Sequence, residues 1–130
     1  MISASLFTAF ALMTACSSDL LPTAVPLGSW GGEHVALDVT STGARVEFDC
    51  AHGTLTQPLT LDSNGQFGVA GTFTREGGPT PGIEPAVPAT YSGRLQGTIL
   101  RLTVTLSGSN QPLDTFTLAQ GRTPTITKCK

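Results

Sequence analysis

Residues 35–50 read VALDVTSTGARVEFDC. Apolar and polar side chains alternate on both sides of a turn-forming centre. Val35, Leu37 and Val39 share one face, and Val46, Phe48 and Cys50 share one face. Such period-2 alternation marks strands with one buried side. Directly opposed residues of an antiparallel pair lie on the same face. The odd-numbered set must therefore meet the even-numbered one. A two-residue turn at Thr42-Gly43 achieves this, pairing Ser41 with Ala44, Val39 with Val46 and Leu37 with Phe48. A slip of one residue would bury Glu47 and Asp49 instead.

The same logic runs outward along the chain. Leu55, Leu59 and Leu61 are odd-numbered, as are Phe67, Val69 and Phe73. Asp62-Ser63-Asn64-Gly65-Gln66 fits a three-residue loop with Gly65 in the left-handed region. That loop pairs Asp62 with Gln66 and Leu61 with Phe67. Tyr91, Gly93 and Leu95 turn at Gln96-Gly97 to meet Leu100, Leu102 and Val104. This pairs Leu95 with Thr98 and puts Tyr91 opposite Leu102. Leu106 ends that strand. Phe116 and Leu118 mark another strand, and 123–129 (TPTITKC) a short last one. Residues 75–88 hold Pro79, Pro81, Pro85 and Pro88 with three glycines, and read as a long loop. Seven or eight up-and-down antiparallel strands result. Closing them into a small β-barrel removes the sheet edges. A two-sheet β-sandwich is the alternative.

Composition agrees with an all-β domain. The chain has 130 residues, enough for one domain. Only 12% are charged, and the net charge is −2. That balance excludes a nucleic-acid partner, which needs a basic patch.

The amino terminus reads as a targeting segment. Residues 1–15, MISASLFTAFALMTA, carry no charge. Ile2 to Met13 is too short for a membrane-spanning helix but has the length of a signal-peptide core. Met13-Thr14-Ala15-Cys16 resembles the lipobox of bacterial lipoproteins. The resemblance implies cleavage before Cys16, lipid on its sulfur and attachment to the cell envelope, periplasmic or cell-surface. The expected division is a signal peptide at 1–15, a tether at 16–27 and a barrel domain at 28–130. With Cys16 lipidated in an exported chain, Cys50 and Cys129 read as a disulfide. Two free thiols are one alternative. A zinc site of two Cys and two His is the other, though no CxxC or HxxxH spacing supports it.

Gly28-Ser29-Trp30 resembles the G-x-W element that opens lipocalin-like and avidin-like barrels. The resemblance implies that Trp30 plugs one barrel end. It also implies a basic partner packed over it near the last strand, for which Arg122 is the candidate. The stretches GSWGGEH, VEFDCAHG and YSGRLQG resemble small exported bacterial domains of uncharacterised function, which implies no activity.

The chemistry-bearing residues gather at the first hairpin's open end. The expected register sets Glu33 opposite His52, on the face of Cys50, with His34 outward. A hydrogen-bonded Glu33–His52 pair at the barrel mouth is the simplest reading. Metal binding by Glu33, His34 and His52 needs a bulge to bring both histidines to one face. On the outer face Asp38 falls opposite Glu47, with Asp49 next in line. This is a solvated acidic face without calcium-loop spacing. No G-x-S-x-G, HExxH or phosphate loop is present, so neither an enzyme nor a cofactor is expected. The function expected is a lipid-anchored binding module for a small apolar ligand or a protein. The alternatives are an enzyme inhibitor acting through the 75–88 loop and a metal-binding module.

Overall fold

The computed structural model describes residues 23–77, 85–109 and 111–129. The expected signal segment at 1–15, Cys16, residues 17–22, Pro79 and Pro81 lie outside the described residues. Eight strands follow in chain order: β1 (Gly28–Gly32), β2 (Val35–Val39), β3 (Ala44–Phe48), β4 (Ala51–Leu55), β5 (Gln66–Arg75), β6 (Val87–Gln96), β7 (Ile99–Leu106) and β8 (Pro112–Gln120). Each pairs antiparallel with the next, and β8 returns to β1 to close the barrel. The expected all-β barrel is the fold, and the sandwich is not.

The faces assigned by alternation are the buried faces. Val35, Leu37, Val39, Val46, Phe67, Val69, Phe73, Tyr91, Leu100, Leu102 and Val104 all lie in the core. The hairpins differ from the expected register by two residues. Val39 faces Ala44 and Leu37 faces Val46 around a Ser41-Thr42 turn, which the Thr40 N–H closes on the Gly43 carbonyl. Gln96 faces Ile99 and Tyr91 faces Val104. Gly97 therefore takes the first central position of its turn, where its φ of 61° is what a type II′ turn demands. A slip of two leaves every side chain on its face, so alternation cannot detect it. In the second hairpin the turn at 62–66 is as expected, but Leu61 does not pair with Phe67: β5 pairs with β4, Leu55 facing Gly71, again two residues from the expected register. The Asp62 N–H donates to the Gln66 carbonyl at 2.9 Å, and Gly65 has φ 74°.

Three elements correct the sequence reading. GSWGG is itself the first strand, paired with β2 from Gly28↔Val39 to Gly32↔Val35. The chain reverses at Asp49-Cys50, so β4 is a new strand and His52 faces Glu47. Residues 123–129 form no strand; only Thr125 bridges to Glu33. The prolyl loop is shorter than expected, because Val87 and Pro88 already pair with Phe73 and Thr72 in β6.

One barrel end is plugged. After β4 the chain leaves the ladder around Pro58, and residues 23–27 dock there. The Val25 N–H donates to the Leu59 carbonyl, and the Leu61 N–H to that of Thr23. Val25 is 1% exposed, so the expected tether is packed structure from Thr23 onward. Trp30 is equally buried and donates its Nε1–H to the Pro26 carbonyl at 3.0 Å.

The interior is filled by side chains. Gly53 and Gly71 leave room for the Tyr91 ring, and Gly93 lies under Phe67. A Cβ at Gly53 would collide with the Tyr91 hydroxyl, one at Gly71 with the Thr54 carbonyl and the Tyr91 ring, and one at Gly93 with the Phe67 ring. The Tyr91 hydroxyl donates to the Thr72 carbonyl at 2.6 Å, and burial holds its pKa far above the ordinary tyrosine value. The phenol therefore stays neutral, as its apolar setting requires.

Candidate functional site

The other barrel end is the mouth. It carries the turns at 33–34 and 49–50 and the beginnings of β6 and β8. Alternation brings Phe48, Phe73 and Phe116 to this end from three different strands. Phe48 lies 4.9 Å from Phe116 and 5.7 Å from Phe73, centroid to centroid, both tilted. These separations are those of favourable aromatic pairs. The rings form the floor of a cleft of about 330 Å³, rimmed by His34, Asp49, Arg75 and Asp114. The Arg75 guanidinium lies 6.0 Å from the Phe73 ring centroid, at the outer reach of a cation–π contact. Among the described residues it has no carboxylate partner. The mouth thus offers an apolar aromatic surface beside an unpaired positive charge.

A C-terminal strap braces one side of this mouth. Gly121 turns the chain after β8 with φ 73°. The strap crosses the outside of β1, where the Arg122 carbonyl lies against Gly31. Thr125 bonds both neighbours of the β1–β2 turn: its N–H reaches the Gly32 carbonyl, and its carbonyl receives the His34 N–H. The Thr127 N–H donates to Asp49 Oδ1, and the Cys129 N–H to the Asp49 carbonyl. Cys129 is disulfide-bonded to Cys50, 79 residues earlier. Lys128 Nζ donates to Glu47 at 2.8 Å, Glu76 at 2.6 Å and the Phe48 carbonyl at 2.9 Å. Partial burial alone would lower the Lys128 pKa, but its bonds to Glu47 and Glu76 outweigh that and raise it. Glu47 shows the mirror case. Burial would raise its pKa, and the Lys128 and Arg45 donors hold it below the ordinary value.

The structure redistributes the expected site residues. Glu33 and His52 do not meet. The reversal at Asp49-Cys50 turns His52 to the outer face, where its Nδ1 lies 3.4 Å from Glu76. His34 is also outside, with φ 67° and its Nδ1 2.6 Å from Asp49 Oδ2. Among the described residues Glu33, His34 and His52 form no group able to hold a metal. Among the described residues no cation–π contact joins Arg122 to Trp30; Arg122 lines a cleft with Glu33, His34 and Asp114. Asp38 faces Arg45, not Glu47. Sequence reasoning missed Arg75, Asp114 and Lys128 as site residues. Parity held a signal for the first: Arg75 belongs to the odd-numbered inner face of β5.

Comparison with family models, curated proteins and solved structures finds no match to this chain.

Proposed function

We propose that this chain is a lipid-anchored extracytoplasmic binding module, not an enzyme, and that it takes its ligand at the barrel mouth. The observation that carries this is the three-phenylalanine floor beside the unpaired Arg75, at the open end of a barrel whose interior is filled. The ligand class that fits is a small aromatic or aliphatic molecule with one carboxylate. Its apolar body lies on Phe48, Phe73 and Phe116, and its anion meets Arg75. The lipobox-like sequence ending at Cys16 supports anchoring. The Cys50–Cys129 disulfide is consistent with an oxidising compartment and removes Cys50 as a nucleophile.

Titration with phenylpropionate and octanoate, followed by amide shifts, tests the reading. Shifts confined to residues 48–51, 73–75 and 114–116, and weakened by Arg75→Glu, are expected. Shifts scattered over the surface, or indifferent to Arg75→Glu, would overturn it.

A second reading rests on the base of the prolyl loop. The Glu76 N–H donates to the Cys50 carbonyl, Glu76 pairs with Lys128, and Gly77 lies against Cys129. This clamped base suits a loop presented to a partner protein, as in an inhibitor. Pull-down from periplasmic extract with intact chain and with residues 77–86 deleted checks it; equal recovery of partners counts against it.

A further inference from the structure

The two barrel ends differ in charge and in what leaves them. Residues 23–27 lead into the barrel at the plugged end, which also carries the turns at 41–42 and 97–98 and the 62–66 loop. Beside that end, on the outer face of β6 and β7, Arg94 lies directly opposite Arg101. Like charges in opposed positions repel across a ladder. Both side chains are exposed, and among the described residues neither has a carboxylate within ion-pair reach. Asp62 shares a cleft with Arg94, but its Oδ1 accepts the Asn64 and Gln66 N–H groups. A second cleft, of about 320 Å³, is lined by both arginines with Gln66, Ser92 and Thr103, and by no carboxylate. Two guanidinium groups, an amide and two hydroxyls are donors suited to a phosphodiester. Ile99, 40% exposed, continues the face of Arg101 toward the turn, and Leu27, 60% exposed, stands just before β1. Charge elsewhere favours this end. Asp38 faces Arg45 on its other flank, whereas the mouth carries Glu33, Glu47, Asp49, Glu76 and Asp114 against Arg75, Arg122 and Lys128.

We propose that the flank centred on Arg94 and Arg101 docks on an anionic lipid surface, with the guanidinium groups on headgroup phosphates and Ile99 and Leu27 at the headgroup boundary. The mouth then faces away from the bilayer. This rests on the anchoring at Cys16 proposed above. Thr23 stands seven residues after Cys16, which is at most about 25 Å of chain. β6 has 10 residues and, tilted as barrel strands are, rises about 25 Å along the barrel axis. Laying the mouth on the bilayer would need the whole tether fully extended, while the plugged end needs little of it. A tether this short holds the barrel at roughly millimolar effective concentration, so a weak surface contact suffices to orient it.

The test attaches the ¹⁵N-labelled chain to nanodiscs of phosphatidylglycerol and phosphatidylcholine doped with a spin-labelled headgroup lipid. Mass spectrometry first shows whether Cys16 carries lipid. Where it does not, the anchoring reading fails, and the Cys16 thiol is coupled to a maleimide lipid so that docking is still decided. Line broadening concentrated at the amides of 96–101, and sparing those of 49–51, 73–75 and 114–116, is expected. Each arginine is worth about a fivefold preference for an anionic surface. Arg94→Glu combined with Arg101→Glu therefore abolishes the contrast, as do neutral phosphatidylcholine discs and about 1 M sodium chloride. Broadening greatest at the mouth overturns the proposal. So does the same pattern in neutral discs or in the double variant. The neutral discs decide the question on unmodified protein even where the double variant fails to fold.

Discussion

His34 is the one non-glycine among the described residues with positive φ. Its backbone strain is offset by the Asp49 hydrogen bond and the bond to Thr125. His34→Gly relieves the strain and loses the Asp49 bond, whereas His34→Ala loses that bond and keeps the strain. The alanine variant is expected to be less stable than the glycine variant by about 1 kcal/mol, as urea unfolding would measure. Lys128 is the second residue with a clear consequence. Lys128 is exposed and its partner carboxylates are half-buried, so solvent screening holds the cost of Lys128→Met to about 1 kcal/mol near neutral pH. The Glu47 contribution is present above the ordinary glutamate pKa and fades as pH falls through the lowered folded value. The Lys128 contribution is present below the ordinary lysine pKa and fades as pH rises through the raised folded value. The difference between wild type and Lys128→Met is therefore largest between about pH 5 and 10 and shrinks on both sides. Denaturation midpoints across pH check this.

The strap is the element on which the mouth depends. A cross-link over 79 residues contributes about 4 kcal/mol by restricting the unfolded chain. Cys129→Ser is expected to lower stability by that order while leaving the barrel folded. Its strap amides, above all Thr125 and Thr127, should exchange faster than those of β5 to β7. Uniform acceleration over the whole barrel would show that the strap has no local role. Hairpin elements teach a different point. Their faces were legible because period 2 admits one answer, but Ser41-Thr42 and Gly97-Thr98 show that register was not. The tight β3–β4 reversal was hidden because Asp49-Cys50 lacks glycine and proline and continues the apolar spacing of Val46 and Phe48.

The whole molecule is one cooperative core. Trp30 is the only tryptophan and is 1% exposed. Its native fluorescence should be blue-shifted and poorly quenched by acrylamide. Its unfolding transition should coincide with that of far-ultraviolet circular dichroism, since the plug and the strands share one core. An earlier fluorescence transition would mean that the plugged end opens independently.

Alternation along the chain determined the fold class and the buried face of nearly every strand, because side-chain direction in a strand follows residue parity alone. It also placed Cys50 and both histidines near one end of the barrel. The tertiary structure decided what parity cannot hold: shifts of two residues and which charges meet. Those depend on turn geometry and on the path of the strap, whose residues carry no periodic pattern. The Glu33–His52 pair gave way to His34–Asp49 and His52–Glu76 for that reason. One unforeseen turn at Asp49-Cys50 reversed the chain and moved His52 to the outside.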